Sequence, residues 1–318
     1  MVKGGPGTGK SRFIKSVAAY AAEKGWDAEY YYCSSDPESL DGVLLKRRDE
    51  TAAVIDGTPP HPWEPELPGL REEIINLGQF WRSEIIKSHQ DEIHKLNAEK
   101  SLLWRRAYRW LAGCLDMCDV IRDIGASYAN TEKILEQAQA ILAELPDGEG
   151  ASVRTALVGS VGMLGVVRSS EFCGSASRLW MVRDCNMSAH LLIRALLGEA
   201  TRKGLKVRVS YDPIDSSRPD AIFAGEGEQS VAVVVGDETP DRDFLTIDMA
   251  ELTEPPEKRD AALAEHAERC RTAMLAGAVD SLAEIRKCHF RLEEIYTAAM
   301  DFDAVNSYTS EFCVKYFG

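Results

Sequence analysis

The chain has 318 residues, 45% hydrophobic and 28% charged, with a formal net charge of −14. This is the composition of a soluble globular protein with sizeable cores, and the length predicts about two domains. The acidic balance argues against a sequence-independent grip on nucleic acid, and neither a membrane-spanning apolar run nor an export leader is expected, which predicts a cytoplasmic chain.

The first element in chain order is "GGPGTGKS" at residues 4–11. Gly4, Gly9, Lys10 and Ser11 satisfy G-x-x-x-x-G-K-[ST], in which small residues let successive backbone N–H groups turn inward around a polyphosphate. Gly5, Pro6, Gly7 and Thr8 fill the loop, and Arg12 follows it. A helix is predicted from about Lys10, so that its positive end faces the same phosphates. Lys10 would reach the β- and γ-phosphates, and the Ser11 hydroxyl would ligate magnesium.

Phe13, Ile14, Val17, Ala18 and Ala21 recur at helical spacing, stop at Gly25 and give way to the aromatic strand "DAEYYY". The acidic loop "SSDPESLDG" follows. Asp36 is placed there as a general base toward an acceptor hydroxyl, with a turn-forming role as the alternative. The β-branched run "TAAVIDG" then ends on Asp56, the position of a magnesium-holding Walker B aspartate; an Asp-Gly turn is the other reading. Gly57 stands where fast hydrolases carry a water-orienting glutamate, so rapid intrinsic hydrolysis is disfavoured. His61 could orient water or substrate, or be a surface-loop histidine.

"EEIINL" at 72–77 reads as a short strand because it aligns with the β run "FLTIDM". From about Ser83 an amphipathic helix runs to Cys118, and a second spans Asn130 to Leu145, predicting an αα-hairpin arm over about 83–145. Arg105, Arg106 and Arg109 lie on the polar side of that arm. The eight cysteines are scattered without a C-x-x-C pair, so neither a zinc site nor a disulfide framework is indicated. Helices are again expected from about Lys258 to Tyr316, packing against the first arm.

Sliding the chain against itself until Gly25 meets Gly204 also brings together Tyr32 and Tyr211, Asp36 and Asp215, Asp41 and Asp220, and Val54 and Val233. The same order of helix, strand, acidic loop and β-branched strand recurs, which predicts an internal duplication. In the second copy "VRTALVGSVGMLGVVRSSEFCGSASRLWMVRD" reads as strand, short helix and loop strand. Only Met1 to Lys3 stand before the first loop, so the equivalents of residues 154–179 are expected to be missing there. On a gapless alignment "RDCNMSAH" falls on "GGPGTGKS", putting Ala189 on Lys10, His190 on Ser11 and Val235 on Asp56. The second pocket is therefore expected to be degenerate.

Taken with "YYCSSDPESLDG", "VIDGTPPH", "EIINLGQFW" and "HFRLEEIYTAAMDFDAVN", these motifs make the chain resemble bacterial ATP-binding proteins with two tandem P-loop NTPase domains. The resemblance spans nearly the whole chain and implies ATP binding; it supplies no substrate, and the sequence departs from it at the upstream strand and the second loop. The expected fold is α/β: two tandem P-loop NTPase-like three-layer domains with parallel sheets, residues 1–150 and 151–318, each with a helical extension. The expected function is binding of ATP and Mg²⁺ with slow hydrolysis or phosphoryl transfer to a small acceptor. The alternative is an ATP-responsive protein acting through its helical arms on a protein partner or a second copy.

Overall fold

The computed structural model describes residues 1–33, 36, 38–58, 63–169 and 171–318; the chain is mixed α/β, 49% helix and 24% strand, with sheets that contain parallel pairs. It opens with β1 (Val2–Lys3), α1 (Lys10–Glu23), β2 (Asp27–Tyr32), β3 (Leu40–Arg47), β4 (Glu50–Ile55), β5 (Ile75–Asn76), α2 (Ser83–Ser88) and α3 (Gln90–Ser127). The apolar stripe of α1 is fully buried, from Phe13 to Ala21. Gly25, at φ 80°, ends the helix: its N–H donates to Ala22 O at 3.0 Å while Trp26 N–H donates to Ala21 O at 3.1 Å. This pair of bonds is a Schellman cap, which needs the left-handed backbone that glycine adopts at low cost.

β3 was not anticipated from the sequence, and it changes the sheet. It pairs antiparallel with both β2 and β4. Only Arg48 and Asp49 separate β3 from β4, with Arg48 at φ 53°. A two-residue turn can join only antiparallel strands, since a parallel pair needs a crossover of about a dozen residues. The expectation of parallel sheets is corrected accordingly: β1 pairs parallel with β5, and Val2 bridges in parallel to Asp56 just beyond β4, while β2–β3–β4 form an antiparallel meander.

The middle of the chain supplies α4 (Thr131–Leu142), β6 (Ser152–Ala156), β7 (Gly159–Gly162), β8 (Gly165–Arg168), α5 (Glu171–Gly174), β9 (Arg178–Arg183), α6 (Ala189–Arg202), β10 (Lys206–Tyr211), β11 (Pro219–Glu226), β12 (Gln229–Val235) and β13 (Leu245–Asp248). Six of these strands form one sheet in the order β13-β9-β12-β11-β10-β6. The hairpin β7–β8 occupies part of what had read as a single strand and short helix. Side chains alternate across the sheet as period-2 geometry requires: Ile222 and Ala224 join a core with α4 and α6, while Ala221 and Phe223 join another with Phe172 and Leu179.

Several local hydrogen bonds of the first half of the chain recur at matching positions of the second. Gly204 N–H to Thr201 O and Leu205 N–H to Ala200 O repeat the cap of α1. Gly236 N–H to Val182 O, at 3.0 Å, repeats Gly57 N–H to Val2 O, and both copies carry a register shift at the same tyrosine, Tyr32 and Tyr211. Asn76 accepts from Gly78 N–H just as Asp248 accepts from Ala250 N–H.

The chain ends with α7 (Lys258–Ala299) and α8 (Phe302–Phe317). Two compact units result: Met1–Arg105 with Ser281–Gly318, and Arg106–Asp280. They do not divide at the expected residue 150. The second helix of the expected hairpin, α4, buries Ile134, Ala138, Ile141 and Leu142 in the core with α6 instead of folding back on α3. The helix that faces α3 is α7. In the second unit Gly113 packs against Met274, Gly277 against Trp110, and Tyr128 donates to Asp260; in the first, Arg291 pairs with Glu92. Glycines at 113 and 277 admit this approach, because a Cβ at either would stand under 3.0 Å from its neighbour. No helix among the described residues is long and apolar enough to cross a membrane.

Candidate functional site

In the first unit the six residues Gly4–Gly9 join β1 to α1. Gly7 and Gly9 take φ 68° and 83°, conformations that L side chains rarely adopt, so these positions call for glycine. Thr8 is fully buried and its Oγ1 donates to Gly5 O at 2.9 Å, closing the turn from inside. Gly4 packs on that threonine, where a Cβ would meet Oγ1 at 2.6 Å. Gly5 faces the Trp81 ring, Pro6 lies within the turn, and Arg12 is exposed on α1.

The structure brings Lys10, Ser11 and Asp56 to this loop. Lys10 Nζ donates to Gly4 O at 3.2 Å and Gly5 O at 2.9 Å, and stands 3.6 Å from Asp56 Oδ2. Asp56 reaches the loop because residue 56 bridges to β1 at Val2. Its other oxygen accepts from Thr58 N–H at 2.9 Å and Thr58 Oγ1 at 2.6 Å, so one carboxylate both opens the turn and faces the lysine. The turn-opening reading of Asp56 is seen at Oδ1, while Oδ2 faces the Lys10 ammonium. Ser11 Oγ accepts from Leu40 N–H at 2.9 Å and Lys15 donates to Glu38 O at 2.9 Å, tying the acidic loop to α1.

Asp36 is engaged elsewhere. Its Oδ1 accepts from Glu38 N–H at 3.3 Å and its carbonyl from Ser39 N–H, an Asx turn. Asp215 repeats that turn with Ser217 N–H and Arg218 N–H. The same geometry at Asp36 and Asp215 assigns the aspartate a turn-forming role. His61 lies outside the described residues. Arg105, Arg106 and Arg109 are exposed on α3.

The corresponding loop of the second unit corrects the gapless alignment. Five residues, Asp184–Ser188, join β9 to α6, against six in the first unit, so a residue is deleted within the loop. The helix equivalences survive: Ala189 and His190 begin α6 where Lys10 and Ser11 begin α1. No glycine remains, yet Asn186 and Met187 take φ 49° and 56°, a conformation costing about 1–3 kcal/mol each for such residues.

What stabilises that loop is a carboxylate of its own. Asp184 Oδ1 accepts from Cys185 N–H and from Ala189 N–H, both at 2.8 Å, the latter at the first turn of α6. Its Oδ2 lies 3.5 Å from Arg218, which also pairs with Asp212. An internal anion thus takes the helix end that an external phosphate would need. His190 is buried, and its Nδ1 pairs with Met187 O at 2.8 Å. Burial pushes its pKa below the ordinary 6.5, so the ring is held neutral.

Sequence reading left three further side chains of the first unit without a role. His289 Nε2 stands 3.3 Å from Glu293 on α7, and its Nδ1 stands 3.5 Å from Lys100 on α3. The i, i+4 spacing of His289 and Glu293 was visible in "HFRLE"; the proximity of that turn to residue 7 was not. No family model matches the chain, and no curated protein or solved structure matches it.

Proposed function

We propose that the first unit is a P-loop nucleotide-binding domain taking Mg-ATP, and that the second is its degenerate P-loop-like duplicate. The carrying observation is the loop between β1 and α1: glycines at positive φ, an ammonium at its mouth, and a strand-end aspartate 3.6 Å away. These groups fit the ligand. Amides and a helix end suit a polyphosphate, and Lys10 carries the compact charge that pairs with it. Ser11 and Asp56 are the oxygen donors that would hold magnesium. When bound, the metal would neutralise charge on the phosphates. Entry of the phosphates requires Lys10 to leave Gly4 O and Gly5 O, which are its present acceptors.

The chemistry beyond binding is slow hydrolysis or phosphoryl transfer to a small acceptor. Glycine at 57 supplies no carboxylate and Asp36 is committed to its turn, which favours slow turnover. A second reading has observational support: nucleotide sets the position of helices that act on a protein partner or a second copy. Its basis is the packing of Gly7 against Glu293 and Thr297 of α7.

Calorimetric titration tests the binding step. Wild-type chain should bind Mg-ATP and Lys10→Ala should lose at least tenfold in affinity, the scale of a charge-assisted contact. Equal affinity in the two proteins removes the site assignment. Phosphate release stimulated by a metabolite pool supports transfer; ATP-dependent association of the chain with itself or with a protein partner, at unstimulated turnover, supports the second reading.

A further inference from the structure

One turn of α7 sits on the rim of the first loop, within the first unit. A Cβ at Gly7 would lie 2.7 Å from the Glu293 carbonyl oxygen and 2.7 Å from Thr297 Oγ1, and Thr297 Oγ1 donates to Gly7 O at 3.4 Å. The rings of Trp81 and Tyr296 lie 5.7 Å apart, both near Gly5. Phe302, beyond the helix end, faces Gly9. The glycines that make the loop permissive to phosphate are thus also the ones on which this segment rests.

The turn brings a carboxylate with it. Glu293 is half-buried and stands 3.3 Å from His289 Nε2, whose Nδ1 faces Lys100 at 3.5 Å. With the proton on Nε2, the lysine donates to the ring and the ring donates to the carboxylate, so all three groups are satisfied in one direction. The His289 hydrogen bond holds the Glu293 carboxyl below its usual range, against burial, and the nearby Lys10 charge adds to the lowering. The carboxylate therefore lies in the field of the ammonium that would receive phosphate.

We propose that Glu293 is an internal competitor for the phosphate cradle, and that nucleotide entry drives the Glu293–Thr297 turn of α7 off Gly7. The inference rests on the ATP-binding reading and adds a regulatory step to that site. A phosphate at the loop and the carboxylate of Glu293, whose own backbone carbonyl rests on Gly7, are like charges in a half-buried place. The second unit offers a fixed counterpart: Asp184 accepts from the N–H at the start of α6 from an adjacent position in the chain and has nowhere to go. In the first unit the anion comes from a distant helix and can leave.

Two measurements on the full chain test this. In calorimetric titration with Mg-ATP, Glu293→Gln should bind about tenfold tighter than wild type, because the neutral amide no longer competes for the cradle. In hydrogen exchange of the wild type, which needs no variant to fold, Mg-ATP should speed exchange of backbone amides over residues 293–300 by about threefold or more. Unchanged or weaker affinity in Glu293→Gln, or slowed exchange across that turn, overturns the proposal; so does a Glu293→Gln protein that keeps its affinity and loses turnover, which would make Glu293 a base instead. A wild type that binds no Mg-ATP brings down the ATP reading and this inference together. Wild-type binding that depends on Lys10 and ignores Glu293 brings down this inference alone.

Discussion

Replacing Gly7 and Gly25 separately by alanine isolates the contact between the loop and α7. Both glycines sit in the left-handed region, at φ 68° and 80°, where an L side chain costs about 1–2 kcal/mol. At Gly25 no atom lies within 4 Å of the new methyl, so this backbone cost is the whole effect. At Gly7 the methyl would stand 2.7 Å from a backbone oxygen and from Thr297 Oγ1, separations that Cβ atoms essentially never show. Either the loop or the helix turn must then shift, adding about 1–3 kcal/mol as for other overpacked sites. Gly7→Ala should therefore destabilise the first unit by about 2–5 kcal/mol, against about 1–2 for Gly25→Ala. Urea unfolding, with the first unit followed through hydrogen exchange of α1 amides, gives both values. If the two variants cost the same within about 0.5 kcal/mol, α7 does not rest on the loop and the competitor role of Glu293 loses its geometric basis.

In the second unit, Asp184→Ala should lower stability by about 1–3 kcal/mol, the sum of a lost helix cap and a weakened partner for Arg218. Thermal unfolding reads this, and calorimetry should still find no second Mg-ATP site, since Ala189 leaves the pocket without an ammonium. For His190 the folded pKa lies below 6.5 because burial disfavours the charged ring. As pH falls below 6.5 the unfolded chain takes up a proton that the folded ring refuses, so stability declines until the folded pKa is passed. A His190→Asn variant should lose this component of the pH dependence, measured as unfolding midpoints between pH 7.5 and about pH 5; an unchanged slope would mean that the ring titrates freely.

Local patterns carried much of the molecule. The stripe from Phe13 to Ala21 with Gly25 behind it, the loop motif from Gly4 to Ser11 and the alignment of "EEIINL" with "FLTIDM" each depend on neighbours a few residues apart, and short-range sterics and periodicity suffice to read them. Tertiary packing decided the rest. β3 went unread because two charged residues, Arg48 and Asp49, make its turn without glycine, and that turn made the β2–β3–β4 sheet antiparallel. The packing of the carboxyl-terminal helix on the first arm was expected and is seen in the glycines between α3 and α7, but α4 left that arm for the core beside α6, because an amphipathic stripe says that a helix packs without saying against what. The loop of the second unit was legible as lacking lysine and glycine. Its occupation by Asp184 was not, since the deletion shifts the carboxylate by one position toward α6 and only the backbone path shows which N–H groups it meets. Gly7 and Glu293, nearly the whole chain apart in sequence, meet only because α7 ends at the rim of the loop. Sequence fixes which groups can bind an anion, whereas the chain's three-dimensional path determines which anion of its own stands there first.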